Sequence, residues 1–339
     1  MKYTLLGNTG LIVSRMAFGA LTLTRGNTMG GIAKVQGADA DRLVGQALDA
    51  GINFFDTADI YAAGQSEEEL GRVLASGRDN VVIATKVMSR MGAPLVQAGL
   101  SARHIAWAVD QSLRRLKTDW IDVYIAHNDD PRTPLEETLA ALDAVVRSGK
   151  ARYLGFSNWP AWKVAAALEI QKARGWAQFT HGQMYYSLLG RDIERDLMPM
   201  QDRYGIGITA WSPLAGGFLS GKYRQGQAAD PADRLAAGQP IPFDPATGFA
   251  VVDLLRASAA ELGATPAQVA LAWLLTRPID SVILGASRRE QLADNLGAVS
   301  LVLPAEVVQQ LDELTSPPEI YPHWHWRNAA DRVALDALG

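Results

Sequence analysis

The sequence predicts an α/β fold, a (β/α)8 or TIM barrel of parallel strands, and three observations carry that prediction. Short apolar segments alternate with helix-like ones along most of the chain, the rhythm of βα units. Three successive apolar segments each close on an ionisable residue, and a parallel barrel would gather those ends on one rim. A length of 339 residues suits a single domain, 1–339, with ample apolar surface for a core.

Taken in order, Tyr3 to Leu6 and Ile12 to Arg15 flank the turn signal Asn8-Thr9-Gly10 and predict a hairpin ahead of the barrel, placed to plug its closed end. Barrel strands are expected at Met16 to Gly19, Ile52 to Asp56, Val81 to Lys86, Ile121 to Ala126, Tyr153 to Ser157, Phe179 to Gln183, Ile206 to Ala210 and Ser281 to Leu284. Asp39-Ala40-Asp41 caps the first helix, and Ser66 stands three residues before Glu69, the spacing of a capping box. Ser101 and Thr133-Pro134 open two more helices. Further helices are expected near Pro160 to Arg174, Ile193 to Tyr204, Pro266 to Thr276, Arg289 to Ala298 and Pro304 to Leu314. The stretch Pro213 to Thr247, rich in Gly, Pro and Ala, is too long for an idle connection and reads as a functional loop after strand seven, before a helix Gly248 to Leu262. The tail from Pro317, aromatic but aperiodic, is expected over the open rim, with His323-Trp324-His325 as lid or surface and not as a metal grip.

Net charge is −4 with scattered cations, which gives no support for nucleic-acid or anionic-membrane binding. No cysteine is present, so disulfides and thiolate chemistry are excluded, in keeping with a cytoplasmic protein. No charged-then-apolar leader precedes the hairpin, and no apolar run approaches a membrane span.

Asp56 ends the second barrel strand, Lys86 the third, and His127 follows the fourth, with Tyr61 in the loop after Asp56. A phenol donates a proton poorly at neutral pH unless a cation sits beside it. Lys86 supplies that charge, Asp56 holds the ammonium, and a neutral His127 orients a carbonyl oxygen facing Tyr61. No nucleophile belongs to this set, so a carbonyl reaction here requires a cofactor.

These residues lie in Asp56-Thr57-Ala58-Asp59-Ile60-Tyr61 with Gly64-Gln65-Ser66-Glu67, in Ile83-Ala84-Thr85-Lys86, and in Asp122-Val123-Tyr124-Ile125-Ala126-His127. In order and spacing they resemble the signature segments of the aldo-keto reductases, specifically the long-looped bacterial branch akin to potassium-channel β subunits. The resemblance implies a catalytic tetrad of Asp56, Tyr61, Lys86 and His127, NADPH as hydride source, and a small-molecule carbonyl substrate. It implies that Asp56, Ser157, Asn158 and Gln183 hold the nicotinamide end and that Trp211 stacks on its ring. Ala20 and Leu21 join that cofactor set. Ser212, Pro213, Leu214, Ala215, Gly216 and Lys222 would form a pyrophosphate loop whose small residues let backbone amides approach phosphate. Gly285, Ser287, Arg288, Gln291, Asp294 and Asn295 would take the adenosine 2′-phosphate and adenine, with Arg234 as a further cation favouring NADP over NAD. Ala62-Ala63 stand where the family often has glycine, which stiffens the loop beyond Tyr61.

Taken singly, each of these residues has a plainer reading: Asp56 and Lys86 as a structural ion pair, Tyr61 and Trp211 as packing aromatics; Glu67-Glu68-Glu69 reads as a charge cluster at a helix N-terminus rather than an acidic site. Gly216 to Lys222 has part of a P-loop's spacing, but Tyr223 stands where a magnesium-binding Ser or Thr is required. Two other functions compete with carbonyl reduction. One is a non-enzymatic NADP(H)-sensing subunit; the other is a Schiff-base lyase using Lys86 as the amine. Neither nucleic acid nor membrane is expected as a partner, and the assembly expected is a monomer or weak homo-oligomer.

Overall fold

The computed structural model describes residues 1–226 and 241–329, together with 331, 334, 336 and 337 of the tail. A hairpin opens the chain, β1 (Tyr3–Leu5) and β2 (Ile12–Ser14), antiparallel with Leu5 opposite Ile12. Eight parallel strands follow: β3 (Met16–Gly19), β4 (Phe54–Asp56), β5 (Val82–Val87), β6 (Ile121–Ala126), β7 (Ala151–Ser157), β8 (Phe179–Tyr185), β9 (Gly207–Trp211) and β10 (Ser281–Gly285). They pair in chain order, and β10 lies between β9 and β3, so the sheet closes into the expected barrel.

Side chains alternate across each strand, as the pleat requires. Phe54, Val82, Ala84, Val123, Ile125, Ala17 and Ile283 fill the inside, while Phe55, Ile83, Tyr124 and Phe156 pack outward under the helices. Leu6 and Val13 of the hairpin join the inner cluster, so the hairpin does plug the closed end. Gly7 makes that possible: its φ is +55°, its amide donates to Asp280 at 2.8 Å, and a Cβ there would lie 2.5 Å from the Gly207 nitrogen.

The surrounding helices are α1 (Ala38–Asp49), α2 (Gln65–Leu74), α3 (Ala102–Leu116), α4 (Leu135–Arg147), α5 (Ala161–Arg174), α6 (Leu197–Tyr204), α7 (Pro245–Leu262), α8 (Pro266–Leu275), α9 (Arg289–Leu296), α10 (Ala305–Leu314) and α11 (His323–Ala329). Ser101 caps α3 as expected, its hydroxyl accepting from the His104 amide at 3.3 Å. Several expected boundaries are corrected. Gly37, not Asp39, precedes α1, which leaves Asp39 and Asp41 in the first turn beside the positive end of the helix dipole. No capping box forms at Ser66, because α2 has already begun at Gln65; Ser66 donates to the Ala20 carbonyl at 2.7 Å. The capping box belongs instead to Thr265 and Gln268, at the start of α8. The helix α7 begins at Pro245 and not at Gly248, because Asp244 accepts from the Thr247 amide at 2.8 Å. The Ile193 end of the expected sixth helix is a separate 3-10 turn, Asp192–Glu194.

The aperiodic tail holds one short helix, α11. Arg195 donates to the Pro318 carbonyl at 2.9 Å and His323 lies 3.7 Å from Asp196, so the tail rests on the connection between β8 and α6, at the open end. Among the described residues no helix is long and apolar enough to cross a membrane.

Candidate active site

The register of β4 and β5 sets Asp56 beside Ala84, which leaves Lys86 further along β5 with its side chain free to fold back over the end of β4. Lys86 is fully buried, and its Nζ lies 2.7 and 2.8 Å from the two Asp56 oxygens and 2.7 Å from the Thr57 carbonyl. At 3.4 Å the same nitrogen reaches the Tyr61 hydroxyl. Lys86 thus gathers Asp56 and Tyr61 at one point of the rim. Burial alone would strip the proton from Lys86, but Asp56 and then Tyr61 oppose it, and the pKa ends above the ordinary lysine value. The raised pKa favours the ammonium over the free amine that a Schiff-base nucleophile uses.

His127 follows β6, with its amide donating to the Val87 carbonyl at 2.9 Å. Its ring stands edge-on to Tyr61, 5.9 Å between centroids at 78°. Burial first and Lys86 second push its pKa down to about 3, so the imidazole is neutral above that pH. Its Nδ1 is buried with no partner among the described residues.

The loop bearing Tyr61 is held from three sides. The Thr57 amide donates to the Ala84 carbonyl at 2.9 Å and the Asp59 amide to the Lys86 carbonyl at 3.3 Å, which extends the β4–β5 ladder into the loop. Beyond Tyr61 the backbone runs left-handed through Ala62 (φ +49°), Ala63 (φ +56°) and Gly64 (φ +93°). A left-handed alanine costs about 1–2 kcal/mol, so this turn persists because its surroundings enforce it. Arg115 packs across Gly64, where a Cβ would lie 2.7 Å from its Cδ, and binds Glu67 at 2.6 Å. Gln65 accepts from the amides of Arg25 and Asn27, each at 2.9 Å.

The acids stand at the start of α2 as expected, and two of them, Glu67 and Glu69, are buried there. Thr85 donates to Glu67 at 2.5 Å, and Glu69 accepts from the Gly37 amide at 2.7 Å. The acids brace α2 against the barrel and α1. Asp59, equally buried, has neither carboxyl oxygen partnered among the described residues; burial and then Glu67 hold its pKa well above the carboxylate range.

On the far side of the pocket, Gln183 donates to Asp56 at 2.7 Å and Ser157 to the Gln183 carbonyl at 2.6 Å. Asn158, left-handed at φ +58°, donates to the His127 carbonyl at 3.0 Å and accepts from the Trp211 indole N–H at 3.2 Å. These contacts bring the expected nicotinamide residues and the tetrad onto one rim. Tyr185 was missed, yet its ring lies 5.1 Å from that of Trp211. Strand alternation could have found it, for it sits two residues after Gln183 on the same face of β8.

After Trp211 the chain turns left-handed at Ser212 and again at Ala215, Gly216 and Gly217. Amides of Ala215, Gly216, Gly217 and Leu219 bond within this loop, to Ser212 and Leu214, and Pro213 is buried at its base. Lys222 is exposed and lies 4.9 Å from the Tyr223 ring. Arg234 falls outside the described residues.

At the last strand, Gly285 has open space where a Cβ would stand, and the Ser287 amide donates to Gln291 at 3.2 Å. Arg288 is exposed at the start of α9; Asn295 is buried in that helix. Asp294 accepts from Thr265 at 3.1 Å and ties α9 to α8. Ala20 is buried and Leu21 half-buried in the turn after β3, where Thr22 donates to the Ala286 carbonyl at 2.7 Å. A flat indole, a set of amide side chains and an exposed cation at the rim suit a nicotinamide dinucleotide, and the orphaned His127 Nδ1 marks a polar position still to be met. Among the described residues no group of three or more His, Asp or Glu side chains could hold a metal ion.

Comparison with known proteins agrees with this geometry. Residues 15–316 match the model of the aldo/keto reductase family. A putative voltage-gated potassium channel subunit beta of Schizosaccharomyces pombe is 37% identical over 331 residues, 93% of each chain. An uncharacterized oxidoreductase of Bacillus subtilis is 37% identical over 340 residues, 94% of this chain and 97% of that one. The versiconal hemiacetal acetate reductase of Aspergillus parasiticus is 33% identical over 345 residues, 95% of this chain and 99% of that one. With the closed barrel, the rim cluster and this family match over most of its length, the chain belongs to the aldo/keto reductase family.

Proposed function

We propose that the protein is a cytoplasmic, single-domain oxidoreductase that reduces aldehydes or ketones to alcohols with NADPH, reversibly. The observation that carries this reading is the contact of a buried ammonium, Lys86 Nζ, with both Asp56 oxygens and with the Tyr61 hydroxyl. A bound reduced nicotinamide supplies the hydride. Trp211, Ser157, Asn158 and Gln183 would hold its ring end, and Ser287 and Arg288 its phosphorylated ribose. Tyr61 and a neutral His127 hold the carbonyl oxygen, and Tyr61 gives it a proton as the carbonyl carbon is reduced. The phenolate left behind is stabilised by Lys86, whose own charge Asp56 balances.

Relatives named as channel subunits favour a second reading, an NADP(H)-sensing binding subunit. His127 favours the enzyme, because a neutral imidazole edge-on to Tyr61 is placed to orient the carbonyl oxygen that the phenol protonates. Turnover of a panel of aromatic aldehydes, dicarbonyls, sugars and keto-steroids, with NADPH and with NADH, tests the proposal. Reduction of at least one class is expected; tight NADPH binding with no turnover across the panel would favour the subunit.

A further inference from the structure

A pocket of about 360 Å³ opens beside Ser287, between the loop after β3, the start of α1 and the start of α9. Lys34, Arg42, Arg288 and Arg289 line it with Ser287, against two acids, Asp39 and Glu290. Its walls are tied together. The Lys34 and Val35 amides donate to the Thr22 carbonyl, each at 2.9 Å, and the Thr22 hydroxyl reaches the Ala286 carbonyl next to Ser287. From the other side Gln46 of α1 donates to the Arg289 carbonyl at 3.1 Å. Both α1 and α9 begin here, and neither has a side-chain cap on its first amides.

Four cations against two acids, with two uncapped helix N-termini, give this cavity a net positive lining that suits a compact dianion. Asp39 pairs with Arg42, but both side chains are more than half exposed, so an incoming phosphate displaces that pair at little cost. We infer that Lys34 and Arg42 complete the recognition of a phosphate monoester whose other side faces Ser287 and Arg288, and that this monoester is the 2′-phosphate of NADPH. The inference rests on the proposed function and adds to it two specificity residues contributed by the opposite side of the barrel closure. Neither Lys34 nor Arg42 touches the nicotinamide end, so their effect falls on the distinction between NADPH and NADH.

The test is fluorescence titration of the whole protein with NADPH and NADH, with 2′,5′-ADP, 5′-AMP and inorganic phosphate as competitors. Variants are Lys34→Glu, Arg42→Gln and Arg288→Ala, all at exposed positions. Each of Lys34→Glu and Arg42→Gln is expected to raise the NADPH Kd about tenfold and the NADH Kd no more than about twofold, the scale of one lost charge-assisted contact. Each should also erase the advantage of 2′,5′-ADP over 5′-AMP as a competitor. Equal shifts for both cofactors, or none in either variant while Arg288→Ala weakens NADPH alone, would overturn the inference and leave the proposed function standing. Competition by inorganic phosphate at the same concentration as 2′,5′-ADP would identify a free-phosphate site and also overturn it. Failure of the unaltered protein to bind either dinucleotide would strike the proposed function itself.

Discussion

The two sides of the open rim solve opposite problems. Around β4, β5 and β6 the central charges are paired within the protein: the buried Lys86 sits on Asp56, and Arg115 on the buried Glu67. Around β3 and β10 the cations Lys34, Arg288 and Arg289 stand exposed beside an open pocket. The first arrangement is preorganised, so its field is in place before substrate arrives. The second waits for an anion to complete it. Substitutions on the first side should therefore alter rate and folding together, and those on the second should alter cofactor choice.

The largest effect expected is at Tyr61. Tyr61→Phe keeps the ring and removes the proton, and turnover should fall by roughly 10²–10⁴-fold. NADPH fluorescence quenching should survive; its loss would mean that Tyr61 belongs to the binding side. Next comes Asp56→Asn, which leaves Lys86 buried without a counter-charge. Unfolding free energy measured by denaturant should drop by about 3–5 kcal/mol, with activity falling as well, and a variant as stable as the parent would show that the pair is not the fixed charge described.

Acid should act through the neutral imidazoles. Burial and then Lys86 lower both His127 and His181 to about 3. Unfolded histidines titrate near 6.5, so as pH falls below that value the unfolded chain gains protons that the folded one refuses. Stability held above pH 6.5 is lost progressively toward pH 3, by on the order of 4 kcal/mol per histidine at full extent. Urea midpoints between pH 7 and 4.5 check this, and His127→Gln should flatten the decline. At the closed end, Leu6→Ala should cost about 2–5 kcal/mol, with kcat near that of the parent, because the plug lies away from the rim chemistry. The smallest effect is at Ala63, where glycine takes the left-handed turn without strain. Ala63→Gly should change stability by about 1 kcal/mol or less, since relief of strain is offset by a looser unfolded chain, and thermal melts resolve its sign.

The barrel was legible because its signal is repetitive. Each strand is an apolar run, and Asp56, Lys86 and His127 stand where such runs end. The burial of Glu67 and Glu69 was not legible, because three consecutive acids at a helix start carry no sign of the Arg115 and Arg72 that the fold sets across from them. The left-handed alanines after Tyr61 escaped for a similar reason: nothing local demands that conformation, and the partners that meet this turn, Met29 at the Ala62 amide and Arg115 across Gly64, are distant in sequence. Lys34 and Arg42 gave no signal at all, since only barrel closure brings them to Ser287 and Arg288. Tail helix α11 lacks an apolar period because its side chains are exposed.

The pH dependence of kcat/KM for carbonyl reduction by Lys86→Met, set against that of the parent, probes the ammonium's hold on the phenol most directly. Loss of the cation should displace the alkaline limb toward higher pH and depress the plateau. Superimposable profiles would mean that Tyr61 owes nothing to Lys86.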